Sequence, residues 1–102
     1  MDQEQALTIA RAFLDAVRAA GYRVHAAFLF ESTAGGTAGP DSDIDVALVL
    51  DGMANSFDTQ VDLMKLRRCV DLRIEPHPFD SGDENDPFGF LAEIRRHGIR
   101  VA

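Results

Sequence analysis

Tryptophan is absent from the 102 residues, and tyrosine and cysteine occur once each. A lone cysteine, Cys69, excludes an intramolecular disulfide and any metal centre built on several thiolates. Flanked by Arg68 and Val70, it reads as a small buried thiol rather than a nucleophile. Positive charge is also scarce: 10 lysines and arginines stand against 17 aspartates and glutamates, a formal net charge of −7. That balance excludes a general electrostatic grip on duplex nucleic acid, which needs a basic face. No apolar run approaches a membrane span, and the acidic opening MDQEQALTIA has no signal-peptide pattern. A reducing cytoplasm is the expected compartment, with no membrane partner.

What is present is ordinary for a globular chain, 46% hydrophobic and 26% charged. The length predicts a single domain over residues 1–102. Its core is modest, which favours a partner chain or a homo-oligomer. Residues 2–20 carry an apolar stripe that includes Ala10, Phe13, Leu14 and Val17, with Arg11, Asp15 and Arg18 opposite and Gly21 as a stop. That is an amphipathic helix. VHAAFLF (Val24 to Phe30) and DIDVALVL (Asp43 to Leu50) read as strands, separated by the loop ESTAGGTAGPDS. Residues 57–68 have a helical period that turns Phe57, Val61 and Met64 inward, together with Leu63 or Leu66. VDLRIEP (Val70 to Pro76) reads as a third strand, with Val70, Leu72 and Ile74 on one side and Asp71, Arg73 and Glu75 on the other. HPFDSGDEND reads as an acidic loop; His77, between two prolines, could approach a site from the end of the third strand, but a rigid loop position is the preferred reading. A last helix is predicted from Asn85 or Asp86, with Pro87 in its first turn and Phe88, Leu91 and Ile94 inward, ending at Gly98 before a short edge strand. This order predicts an α/β (α+β) domain, a small mixed sheet covered by helices.

The chemistry concentrates in PDSDIDVALVL. Side chains two apart on a strand project from one face, so Asp43 and Asp45 point the same way. Paired carboxylates suit a hard divalent cation; Mg²⁺ takes one or two of them together with substrate phosphates. A third carboxylate from the neighbouring strand, Asp71, is enough to hold two ions for phosphoryl or nucleotidyl transfer. Asp-x-Asp after a turn is equally good capping material, so the spacing alone does not decide the matter.

FLFESTAGGTAGPDSDIDVALVL resembles the signature of the minimal nucleotidyltransferases in the DNA polymerase beta superfamily. That pattern is an apolar strand, Gly-Ser, about ten residues, then Asp-x-Asp inside a second strand. Phe28-Leu29-Phe30 supplies the strand end, Ser32 the serine, and Asp43-Ile44-Asp45 the paired aspartates, with ten residues between Ser32 and Asp43. RRCVDLRIEPHPF is similar to the third strand of that family. The resemblance implies a polymerase-beta-like nucleotidyltransferase fold and two Mg²⁺ ions held by Asp43, Asp45 and Asp71, with Glu75 as the alternative third carboxylate. It implies a nucleoside triphosphate, ATP, as substrate, its terminal phosphates held by Ser32 and the turn at Thr33. The product would be a nucleoside monophosphate on an acceptor hydroxyl. It also implies a helical partner of the HEPN type, which such a transferase can modify as an antitoxin.

Two departures from that pattern leave a second reading open. Glu31 stands where the family carries glycine, removing backbone freedom and adding negative charge beside the expected phosphates. The segment after Ser32, TAGG, supplies no cation. Both changes point to a catalytically impaired relative that serves as a binding or neutralising subunit.

Overall fold

Seven consecutive residues, Ile44 to Leu50, are buried, because the strand they form is covered on both faces. A strand in that position carries a continuous apolar run rather than an alternating one. The computed structural model describes residues 3–30, 43–52, 55–81 and 89–102. In chain order the elements are α1 (Gln3–Ala19), β1 (Arg23–Phe30), β2 (Ile44–Asp51), α2 (Ser56–Leu66), a 3-10 turn (Arg67–Cys69), β3 (Ile74–Asp80), α3 (Phe90–His97) and β4 (Ile99–Arg100). The four strands lie in the order β3-β2-β1-β4. β1 runs antiparallel to β2 and β4, while β2 and β3 are parallel, joined by the α2 crossover. The expected mixed sheet with helical cover is therefore present.

The two faces of β2 lead to two apolar clusters. Ile44, Val46, Leu48 and Leu50 pack with Phe13, Leu14 and Val17 of α1 and with Leu63 of α2. Ala47 and Val49 point the other way, into a smaller cluster with Ala26 and Phe28 of β1 and Ile94 of α3. Gly98 closes α3 through its amide, which donates to Ile94 O at 2.6 Å. A β-carbon there would lie 2.5 Å from Ile94 O and 3.1 Å from Leu29 O, so close approach to β1, not backbone torsion, demands glycine.

Three expectations are corrected. In α2 the helical period turned Phe57 and Val61 inward, yet Phe57 is 74% exposed; of the expected inward residues Leu63 is buried, and Thr59 joins it. The helix carries apolar side chains on two sides. Its start is set by Asn55, whose side chain accepts from the Phe57 and Asp58 amides, and the crossover to β3 selects the stripe that meets the sheet. Cys69, read as buried, is exposed in the 3-10 turn.

The third correction matters most for function. β3 begins at Ile74, four residues later than the alternation in VDLRIEP suggests. Residues 67–74 satisfy their backbone locally instead: the Val70 and Asp71 amides donate to Arg67 O, and Ile74 N donates to Asp71 O. Leu72, the middle of the supposed apolar side, is 67% exposed. Beyond Ile74 the strand runs through Pro76, where the expected strand ended, and on through Pro78, which read as loop. Proline is tolerated on edge strands where its missing N–H faces away from the ladder, and β3 is an edge strand. Arg73 O and Ser81 N bond to β2, at Ile44 N and Leu50 O, so the odd-numbered residues face the ladder. The even-numbered carbonyls of Ile74 and Pro76 instead accept from the Arg67 and Gln60 side chains at 3.0 Å each.

This packing separates two substitutions on one helix. Leu63→Ala should cost about 2–5 kcal/mol in denaturant unfolding, as a fully buried leucine does. Phe57→Ala should cost about 0.5 kcal/mol or less, as exposed positions do. Comparable losses at the two positions would overturn the assignment of the buried stripe.

Candidate functional site

Asp45 is 4% exposed, the only buried charged side chain among the described residues. It occupies the second position of β2, so the strand that fills the core also draws a carboxylate out of water. A carboxylate in that setting is costly unless a charge or hydrogen-bond partner offsets the desolvation. The sheet register supplies the neighbours. Asp45 pairs across to Phe30 on β1 and to Glu75 on β3; one position along, Ala47 pairs with His77. Because alternate residues share a face, Asp45, Glu75 and His77 emerge together on the side of the sheet that α3 covers further along.

His77 Nε2 lies 3.0 Å from Asp45 Oδ1. Its ring meets Phe30 edge-on, with centroids 5.1 Å apart and planes at 61°. The imidazole side chain is 28% exposed against 5% for the Asp45 side chain, so the histidine forms the solvent side of the pair. One ligand atom from each of Asp45, Glu75 and His77 falls within 4.8 Å of the others. Two donors bound to one divalent ion at adjacent corners sit roughly 3 Å apart, given bonds of about 2.1 Å. The Asp45–His77 separation matches that spacing. Two carboxylates and an imidazole, gathered where one carboxylate is already desolvated, therefore fit a divalent cation.

The remaining site residues of the sequence reading are placed differently. Asp43 is exposed immediately before β2, and the next amide, Ile44 N, donates to Arg73 O at 2.8 Å. It lies outside the cluster of three. Asp71 does not stand on β3 as expected: it precedes the strand by three residues, in the turn. Its carboxylate accepts from Arg73 at the backbone amide (2.9 Å), at Nε (3.0 Å) and at the terminal guanidinium nitrogen (2.7 Å). The Arg73 side-chain hydrogen bond is the main reason its pKa is lowered from the ordinary aspartate value; burial pulls the other way. Arg73 thus pairs with Asp71. Glu75, the alternative third carboxylate, is the one that lies beside Asp45. Glu31, Ser32 and Thr33, and the helix-start residues Asn85 to Pro87, lie outside the described residues.

The sequence offered His77 two readings, an approach to the site from the end of the third strand and a rigid loop position, and the loop was preferred. The signal was present in EPHP: a histidine two residues beyond Glu75 shares its face on any strand. The flanking prolines concealed it by making the segment read as a loop.

A four-stranded mixed sheet with helices on both faces is the nucleotidyltransferase fold. It matches the crystal structure of a candidate nucleotidyltransferase from Sulfolobus solfataricus with a TM-score of 0.58, over 78% of this chain and 71% of that one, at 24% identity. At that identity the likeness speaks for fold alone. The chain belongs to the nucleotidyltransferase domain family, whose pattern it matches over residues 10–95. None of the curated protein sequences matches it.

The Asp71–Arg73 pair sets a pH dependence with a definite sign. A carboxyl whose folded pKa is depressed contributes stability above its unfolded pKa and loses it as pH falls through the folded value. Asp71→Asn should therefore lower stability by about 1–2 kcal/mol at pH 7. The gap from the parent should narrow on acidification below the ordinary aspartate range, read by thermal melts across pH. A gap that stays constant would show that the pair carries no charge-dependent stability.

Proposed function

We propose that this protein transfers a nucleoside monophosphate, AMP from ATP, to an acceptor hydroxyl, using divalent cations held by Asp45 and Glu75 with Asp43 at the open side. Membership of the nucleotidyltransferase domain family supports the reaction class. The observation that carries the site is the register match of Asp45 with Glu75 on parallel strands, with Asp45 buried. A bound cation there supplies charge neutralisation for the triphosphate and lowers the pKa of the attacking hydroxyl. The chain's own contribution is positioning. Asp45 is fixed by the core, Glu75 by its ladder position, and Asp43 stands in solvent where the triphosphate arrives. The acceptor hydroxyl gives up its proton to solvent, its oxygen bonds to the α-phosphorus as the bond from that phosphorus to the bridging oxygen of the β-phosphate breaks, and pyrophosphate leaves. Asp71 belongs, in this reading, to the turn that starts β3 rather than to the reacting centre.

Two ions of Mg²⁺, phosphate contacts from Ser32 and Thr33, and a HEPN-type helical partner modified in an antitoxin role belong to the same proposal. Its support there is the sequence resemblance. The competing reading, an impaired binding subunit of the same fold, is favoured by Glu31 in place of glycine.

Thermal melting with Mg²⁺ and ATP separates the two. A nucleotide binder is stabilised by mass action, by about 2.7 kcal/mol when the ligand is at a hundredfold its Kd. An upward shift in Tm is expected; no shift at millimolar ATP with either Mg²⁺ or Mn²⁺ would sink the transferase reading. Glu31→Gly should tighten nucleotide binding, and unchanged affinity would remove the reason for doubting activity at that position.

The third carboxylate is tested by transfer of labelled AMP. Glu75→Gln should lower the rate by about a hundredfold or more, on the scale of losing a transition-state charge contact. Asp71→Asn should change it only a few-fold. The reverse order would return the role to Asp71.

A further inference from the structure

We propose that His77 is itself a metal ligand, so that Asp45, Glu75 and His77 form a mixed oxygen–nitrogen site that takes Mn²⁺ or Co²⁺ in preference to Mg²⁺. This rests on the metal-site reading above and extends it to a residue that an all-carboxylate centre does not include.

The first argument is placement. Nε2 of His77 already stands 3.0 Å from Asp45 Oδ1 and within 4.8 Å of a Glu75 oxygen. The same separation serves a hydrogen bond or two adjacent corners of a coordination shell. No change of strand register or of ring position is needed to move between them.

The second argument is rigidity. Pro76 and Pro78 flank His77, and each fixes its own φ near the extended value that the strand requires. The ring rests edge-on against Phe30, which pairs with Asp45 on the opposite side. Both the backbone and the imidazole are therefore set before any ligand arrives. A donor held this way loses little rotamer freedom on binding, which is the usual benefit of a pre-organised site.

The third argument is donor chemistry. Mg²⁺ is a hard ion that favours oxygen and keeps water in preference to imidazole. Imidazole nitrogen favours the later first-row dications, and affinity at a fixed nitrogen–oxygen site rises from Mn²⁺ to Co²⁺. Replacing one oxygen corner by Nε2 should therefore cost Mg²⁺ affinity relative to Mn²⁺ and Co²⁺. His77 remains 28% exposed, leaving an open side on which water or substrate oxygens complete the shell.

The alternative is that His77 only orients Asp45 through a hydrogen bond, with the ion bound by carboxylates alone. Pulsed electron paramagnetic resonance of Mn²⁺ on the intact chain separates these, because a directly bound imidazole modulates the echo through its ¹⁴N nucleus. The expected result is nitrogen modulation in the parent protein and in the His25→Gln, His97→Gln double variant, and its loss in His77→Gln. In equilibrium titrations the parent should prefer Mn²⁺ over Mg²⁺ by about tenfold or more. His77→Gln should weaken Mn²⁺ by a similar factor and alter Mg²⁺ by about twofold at most, since only nitrogen donation is lost.

Mn²⁺ bound without nitrogen modulation would overturn the proposal, as would equal loss of both ions in the variant or no Mn²⁺ binding at all. If His77→Gln fails to fold by circular dichroism, the parent and double-variant spectra decide alone. A failed transferase reading appears separately, as absent stabilisation by ATP with any ion. Stabilisation by Mg²⁺ and ATP beside a nitrogen-free Mn²⁺ spectrum rejects the histidine and leaves the transferase standing.

Discussion

The structure depends on a carboxylate kept where carboxylates are expensive. Asp45 sits in the central strand, in line with residues whose burial holds the two faces of the sheet together. Removing it from water raises the value of every favourable contact it makes, since charges interact more strongly in a low-dielectric setting. The neighbouring strand then answers with Glu75 and His77 at the matching positions. One of these is a like charge and the other a potential cation or ligand. Two carboxylates and an imidazole gathered at one place on the sheet are a donor set for a divalent cation, and that gathering is the physical basis for reading the cluster as a cation site.

Register is what keeps the cluster together. A slip of one residue between β2 and β3 would turn Glu75 and His77 to the opposite face and scatter the three side chains. Two contacts from outside the sheet oppose such a slip. Gln60 of α2 holds Pro76 O, and Arg67, in the turn that follows α2, holds Ile74 O. The Asp71–Arg73 pair fixes the turn from which β3 starts. Residues well away from the chemistry thus decide which side chains Asp45 meets. In that sense Asp71 serves the site after all, by setting where the strand begins.

Much of the fold was legible in the sequence because its signals agreed with one another. The first helix, the two strands around the glycine-rich loop, and the stop at Gly98 each carry a clear period and a clear breaker. β2 was legible for the simplest reason, a long uncharged run after paired aspartates. Asp45 could be picked out from the same segment. β3 was not, because VDLRIEP alternates well enough to pass as a strand while its first four residues bond locally in a turn. The two prolines then hid the true strand, since their loop preference dominates unless the chain is known to lie at a sheet edge. That placement of the strand put Asp71 ahead of Glu75 as the expected third carboxylate and favoured a loop position for His77. The inward face of α2 was misread for a related reason: a helix with apolar residues on two sides does not announce which side meets a sheet.

The prolines of β3 have one more consequence. An edge strand normally offers a row of free amides and carbonyls on which another chain can add a strand, in productive recognition or in aggregation. Here the outer rim lacks the amide donors of residues 76 and 78, and the carbonyls of 74 and 76 are already taken by side chains. Strand addition along that rim is blocked. A second polypeptide therefore cannot reach the Asp45, Glu75 and His77 cluster by extending the sheet at that edge.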